Sequence, residues 1–342
     1  MKTQQAPGAH TRAPAPPAGR AGRILRGARS SVGGTAAALI IIWIGLTAAA
    51  PSFATVSNLL NIFLAASTLA IIAGGLTLAL IAGEIDLSLG SVEALAGSLA
   101  AVLIVTIGLP WPLALVLGVL AGAAVGGVNA FFTSKLGVPS FVTSLAMLSV
   151  AGGAAYLLTQ GTSVFGLGPQ FGAIGQGSLS GVPAPVLIAV VILAVLAFVL
   201  HRTSFGLNIY AVGGNPEAAR LSGVNVRRTK AVVLVLSGSL AGVAGIILAS
   251  RLDAGSGTVG AADLMAAIAA VVIGGTSLNG GVGSIAGTVV GTVLIASIQN
   301  GLVLLNVTAF WQQVAIGSLI LIAALLDRLS KISTKSGREQ AR

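Results

Sequence analysis

Residues 58–82 read NLLNIFLAASTLAIIAGGLTLALIA, and residues 83–90 continue GEIDLSLG. The first stretch holds no Lys, Arg, Asp or Glu over 25 positions. As a helix it rises about 37 Å at about 1.5 Å per residue, more than the roughly 30 Å of a bilayer's hydrocarbon core. Lipid is therefore its predicted solvent. The second stretch sets Glu84, Asp86 and Ser88 between glycines, so the helix ends in a polar break before the next apolar run.

The pattern recurs. Apolar spans are predicted at about 33–50, 58–82, 88–107, 112–131, 139–158, 184–200, 231–250, 261–275, 285–305 and 310–326. Prolines at Pro110 and Pro112 close one span and open the next, with Trp111 suited to the membrane interface. Residues 159–183 carry no charge and many Gly and Ser, as expected of an external loop. The fold class is all-α, a polytopic membrane protein of about ten transmembrane helices. Eight full spans plus re-entrant segments is the alternative, because the 261–275 run is short.

Composition agrees. Of 342 residues, 55% are hydrophobic and 8% charged, against about 25% charged in a soluble domain. The net charge of +10 sits in clusters beside the spans and not on one soluble face, which argues against nucleic acid as a partner. These clusters are the tail 1–32, the loop 201–230 and the tail 328–342. The positive-inside rule places all three in the cytoplasm. Six spans before the loop and four after it satisfy that requirement, and Lys135 also falls inside. Three regions follow: a disordered basic tail over 1–32, a transmembrane domain over 33–327, and a second basic tail over 328–342.

The loop 201–230 contains a short helix marked at both ends. Asn215 is an N-cap, Pro216 sits where its missing N–H costs nothing, and Glu217 faces the positive end of the helix dipole. Gly223 takes the left-handed turn that ends it. Asn215, Pro216 and Gly223 shape the helix, which leaves Glu217, Arg220, Leu221 and Ser222 to meet a protein partner. Arg227, Arg228 and Lys230 are read as anchors to lipid headgroups.

Several chemistries are excluded by residue type. With no Cys, thiolate catalysis and Cys-ligated metals are absent. No phosphate-binding Gly-rich loop of the Walker type occurs, so the chain does not bind ATP in that way. His10 and His201 have no ligand partners at metal spacing, and no cofactor is expected in this chain. The glycine ladders Gly118/Gly122/Gly126, Gly238/Gly242 and Gly283/Gly287/Gly291 read as close helix packing.

Charge inside a membrane is expensive and commonly functional. Glu84, Asp86 and Ser88 are candidates for a gate or pathway, with capping of the third span by Asp86 or Ser88 as the structural alternative. Glu93, inside the third span, is a pathway candidate that needs a partner or a wet cavity. Asp263 reads as a helix cap. Asn129, Gln299 and Asn300 are candidates for solute contact, with interhelical hydrogen bonding as the commoner use. A weak echo relates 71–97 to 266–291, both apolar helices broken by Gly and Ser.

Four stretches together resemble the permease subunits of bacterial ABC importers of the ribose/xylose/galactose type, within the larger branched-chain amino acid permease group. They are Gly83–Ser91, Gly137–Val142, Thr203–Val224 and Gly274–Ser284, in order across about 55–327. The resemblance implies that Asn215, Pro216, Glu217, Ala218, Arg220, Leu221, Ser222, Gly223 and Val224 form a cytoplasmic coupling helix seated in an ATPase subunit, which would bind the ATP and Mg. It implies a second permease copy, an extracytoplasmic solute-binding protein and a bacterial cytoplasmic membrane. The expected function is import of a monosaccharide, with a nucleoside, a branched-chain amino acid, or ion-coupled secondary transport as alternatives. Glu84 and Glu93 depart from the family pattern.

Overall fold

The computed structural model describes residues 20–322 and 325, with side chains from residue 32 onward. The expectations for residues 1–19 and for the tail 328–342 lie outside the described residues. Helices are α1 (Arg20–Ala49), α2 (Val56–Ile81), α3 (Leu89–Val105), α4 (Trp111–Ala130), α5 (Ser140–Thr159), α6 (Pro169–Gln176) and α7 (Ala184–Arg202). After them come α8 (Ser204–Gly214), α9 (Pro216–Leu221), α10 (Val226–Leu252), α11 (Ala261–Ile273), α12 (Ile285–Leu304) and α13 (Ala309–Ile322).

The ten expected spans coincide with α1–α5, α7 and α10–α13. Seven are long and apolar enough to cross a membrane, while α3, α11 and α13 are shorter. One boundary is corrected. The tail was expected to run to residue 32, but α1 starts at Arg20. Arg, Ala, Ile and Leu are good or neutral helix formers, and they carry the frame of the first span back into the basic segment.

Helix α10 lies at the centre, against α2, α3 and α4. The glycine ladders explain how closely. A Cβ at Gly122 would run into the Gly238 carbonyl, one at Gly126 into the Leu234 carbonyl, and one at Gly238 into the Gly122 carbonyl. The ladders of α4 and α10 thus face each other, backbone to backbone, as small residues permit. Gly287 and Gly291 do the same for α12 against the Gly274 and Ala270 carbonyls of α11. Helices α1, α5 and α7 keep most of their apolar surface exposed, as a lipid boundary requires.

The loop 159–183 is more ordered than its composition suggests. Strand β1 (Val164–Phe165) pairs antiparallel with β4 (Ala254–Gly255), and β2 (Ser178–Leu179) pairs with β3 (Val182–Pro183). Between them α6 is pinned to the end of α10: Ser250 Oγ donates to the Phe171 carbonyl at 2.6 Å and accepts from Gly175 N at 2.8 Å. Asp253, left-handed at φ 50°, accepts from Leu167 N through its carboxylate at 2.9 Å. This cap closes the end of the bundle opposite to α8 and α9.

Candidate functional site: a polar helix seated on two broken helices

Helix α9 is built as its sequence predicts. Asn215 Oδ1 accepts from Ala218 N at 3.0 Å, Pro216 opens the helix, and Gly223 leaves it at φ 83°. Glu217 and Arg220 pair at 2.6 Å, both largely exposed. Ser222 Oγ donates to the Ala218 carbonyl at 2.9 Å. Ala218 is exposed, Val224 half-buried, and Leu221 81% exposed. Only Ala219 of this helix is buried. Leu221 thus stands in solvent beside the Glu217–Arg220 ion pair.

Helix α8 ties α9 to the membrane domain. Its N-cap Thr203 accepts from Gly206 N at 3.2 Å. Tyr210 donates its hydroxyl to the Gly283 carbonyl at 2.8 Å, and its burial raises the phenol above its usual value near 10. Gly213 lies so close to the Ile81 carbonyl that a Cβ there would overlap it. That carbonyl already accepts from Gly281 N at 2.9 Å. Gly83, Gly280 and Gly281 all have φ between 73° and 83°, a region that glycine enters without strain. The break after α2 and the break between α11 and α12 therefore meet under α8.

From that junction, residues 84–87 run without regular secondary structure into the bundle. Ile85 is held at both backbone groups: its N–H donates to Ser140 Oγ at 3.0 Å, and its carbonyl accepts from Ser144 Oγ at 3.2 Å. Glu84, expected as a gate or pathway residue, pairs with Lys230 at 2.5 Å in the first turn of α10. This corrects the reading of Lys230 as a lipid anchor, since burial of the pair turns the lysine inward.

Asp86, Ser88 and Asn129 come together. Asp86 Oδ1 accepts from Ser88 N at 3.0 Å and from Ser88 Oγ at 2.6 Å; Asn129 Nδ2 donates to Ser88 Oγ at 3.0 Å and reaches Asp86 Oδ1 at 3.5 Å. The capping alternative for Asp86 and Ser88 does not hold. Ser88 already has helical angles (φ −80°, ψ −12°), so its hydroxyl points back to Asp86 and no side chain caps α3. Asp86 Oδ2, Ser237 Oγ and Asn129 Oδ1 are all buried; Ser237 stands by Asp86, and Asn129 Oδ1 has no hydrogen-bond partner among the described residues. Such groups are rare and call for a ligand, water or functional explanation.

Glu93 is fully buried, with Asp263 and Arg251 as its charged neighbours. Asp263 is not a cap. Gly260, at φ 92°, occupies that position, and Asp263 follows inside the first turn of α11. Asn300 is taken up in packing, exchanging two 2.9 Å bonds with Asn58. Gln299 is half-buried within α12. Sequence reasoning missed Ser140, Ser144 and Tyr210, which orient the breaks, and the 2.6 Å Thr77–Thr288 bond that joins α2 to α12. Hydroxyls on apolar helices give no spacing signal that distinguishes a tie from a bystander.

The described residues thus form a multi-pass helical bundle in which two broken helices meet beneath a capped polar helix. The family model described as the permease component of branched-chain amino acid transport systems matches residues 58–324. The chain belongs to this family of ABC-importer permeases, which are not themselves enzymes. It is 40% identical to the ribose import permease protein of Bacillus subtilis (strain 168), over 85% of this chain and 90% of that one. It is 37% identical to the L-arabinose transport system permease protein of Escherichia coli (strain K12), over 84% and 88%. It is 34% identical to the xylose transport system permease protein of the same strain, over 82% and 87%. No solved structure matches the chain.

Proposed function

We propose that this permease moves a monosaccharide into the bacterial cell, driven by a separate ATPase that grips α9. The observation that carries the reading is the unbroken connection from α9 through α8 to the junction of Gly83, Gly213 and Gly281. The relatives named for ribose, L-arabinose and xylose support the solute class. ATP and Mg would be held by the ATPase, a soluble receptor outside the membrane would deliver the sugar, and a second copy of this chain would complete the pathway.

The mechanism is an exchange of conformations. Closure of the ATPase displaces α9, α8 carries the displacement to the two glycine breaks, and the bundle changes the side on which it opens. ATP drives this only if its binding free energy differs between the two states. Asp86, Ser88 and Asn129 would meet the solute hydroxyls in the state that opens between them, because Asn129 Oδ1 is buried without a partner among the described residues.

The double variant Glu217→Ala, Arg220→Ala tests the assignment. Its ion pair is exposed, so the fold is expected to stay intact. Solute-stimulated ATP hydrolysis and uptake should fall together, roughly thirtyfold if the pair is worth about 2 kcal/mol at the interface. Full stimulation in the double variant would overturn the role of α9. The sugar itself is identified by isolating the partner receptor and analysing its bound ligand.

A further inference from the structure

The end of α4 and the start of α10 line an open, shallow cavity of about 520 Å³ that transport does not explain. Its polar rim carries Lys135, Arg227 and Arg228, and no acidic residue lines it. Helix α4 reaches it through a π-turn, Phe131–Lys135, in which the wider winding re-aims the side chains of the last turn. Lys135 Nζ stands 5.1 Å from the centre of the Phe131 ring. Ser134 Oγ, also in the lining, is a buried hydroxyl with no hydrogen-bond partner among the described residues. Apart from Asn225 the remaining wall is apolar, and both Phe131 and Phe132 are exposed.

We propose that this cavity is a binding site for one anionic phospholipid of the inner leaflet. Three cations at the interface level attract the phosphate. The apolar wall takes the first methylenes of an acyl chain. A zwitterionic lipid would bring its own ammonium against the same three cations, so the site selects for net negative charge. Basic pockets between helices on the cytoplasmic side are the usual form of such sites. Occupancy would bridge α4 and α10 next to the loop that leads out of α9. The proposal depends on the membrane topology and not on which solute is carried.

The test is native mass spectrometry of the intact chain in detergent, titrated with phosphatidylglycerol or phosphatidylcholine. Phosphatidylglycerol should be retained in preference, and the variant Lys135→Gln, Arg227→Gln, Arg228→Gln should bind it on the order of a hundredfold more weakly, about fivefold per charge. Arg202→Gln removes an exposed charge on the same side outside the cavity and should bind as the wild type does. Gly127→Leu fills the cavity where a Cβ meets only open space, and it should abolish lipid retention with all three charges in place. Equal retention of the two lipids overturns the proposal, as does equal loss in Arg202→Gln and the triple variant. Full displacement of phosphatidylglycerol by millimolar inorganic phosphate would show a free-anion site and overturn it too.

Discussion

Lys230→Ala is expected to destabilise the protein by about 3 kcal/mol, the lower end for breaking a buried ion pair. The loss comes mainly from Glu84, which is 4% exposed and would be left buried without its partner, while Lys230 at 23% retains some contact with water. Pairing an apolar residue with an apolar residue should restore most of the loss, because well-packed replacements of buried pairs are often neutral. The Glu84→Leu, Lys230→Met variant is thus predicted to be more stable than Lys230→Ala alone. Unfolding midpoints in one detergent decide the matter. A double variant no better than the single one would mean that the pair is not the source of the loss. Uptake should stay low in both, since residues 82–88 are then no longer fastened to α10 by charge.

Gly213→Ala is predicted to remove transport and to destabilise by about 1–3 kcal/mol or more, the range for overpacking a filled site. Its methyl would overlap the Ile81 carbonyl and crowd the Gly281 N–H that donates to it. Neither neighbour is a side chain that can swing away. Gly214→Ala is the matched control, because a Cβ there meets nothing within 4 Å, and it should leave both uptake and midpoint near wild type. Similar behaviour of the two variants would contradict the geometry of the junction.

The ten apolar spans, the break at 83–90 and the caps of α9 were legible in the sequence. Each rests on local physics: hydrophobic length, glycine conformation, or a side chain bonding three residues ahead. Asn215 and Gly223 behave as read because nothing distant competes for them. The partnership of Glu84 with Lys230 was not legible, since it joins residues far apart in the chain and only packing brings them together. Asp263 looked like a cap by position, but Gly260 with its positive φ begins the helix and leaves the carboxylate beside Glu93. The failed capping of α3 has the same origin, with Ser88 already helical and its hydroxyl drawn to Asp86. In the loop 201–230 the caps of α9 were clear. The contact of Gly213 with a carbonyl beyond another span carried no local signal.

The shortness of α11 bears on how the protein is made. Its thirteen residues rise only about 20 Å, and Asp263 lies in the first turn. Gly260, just before it, presses against the Gly90 carbonyl at the start of α3. Such a segment is a poor candidate for recognition by the insertion machinery during synthesis, because length and apolarity are what that step reads. Its place in the membrane must come from helices inserted earlier, above all α2 and α3, with α12 drawing it in from behind. Biogenesis of this permease is therefore ordered: the half-length helix settles only after the first ten helices of the chain have made a seat for it.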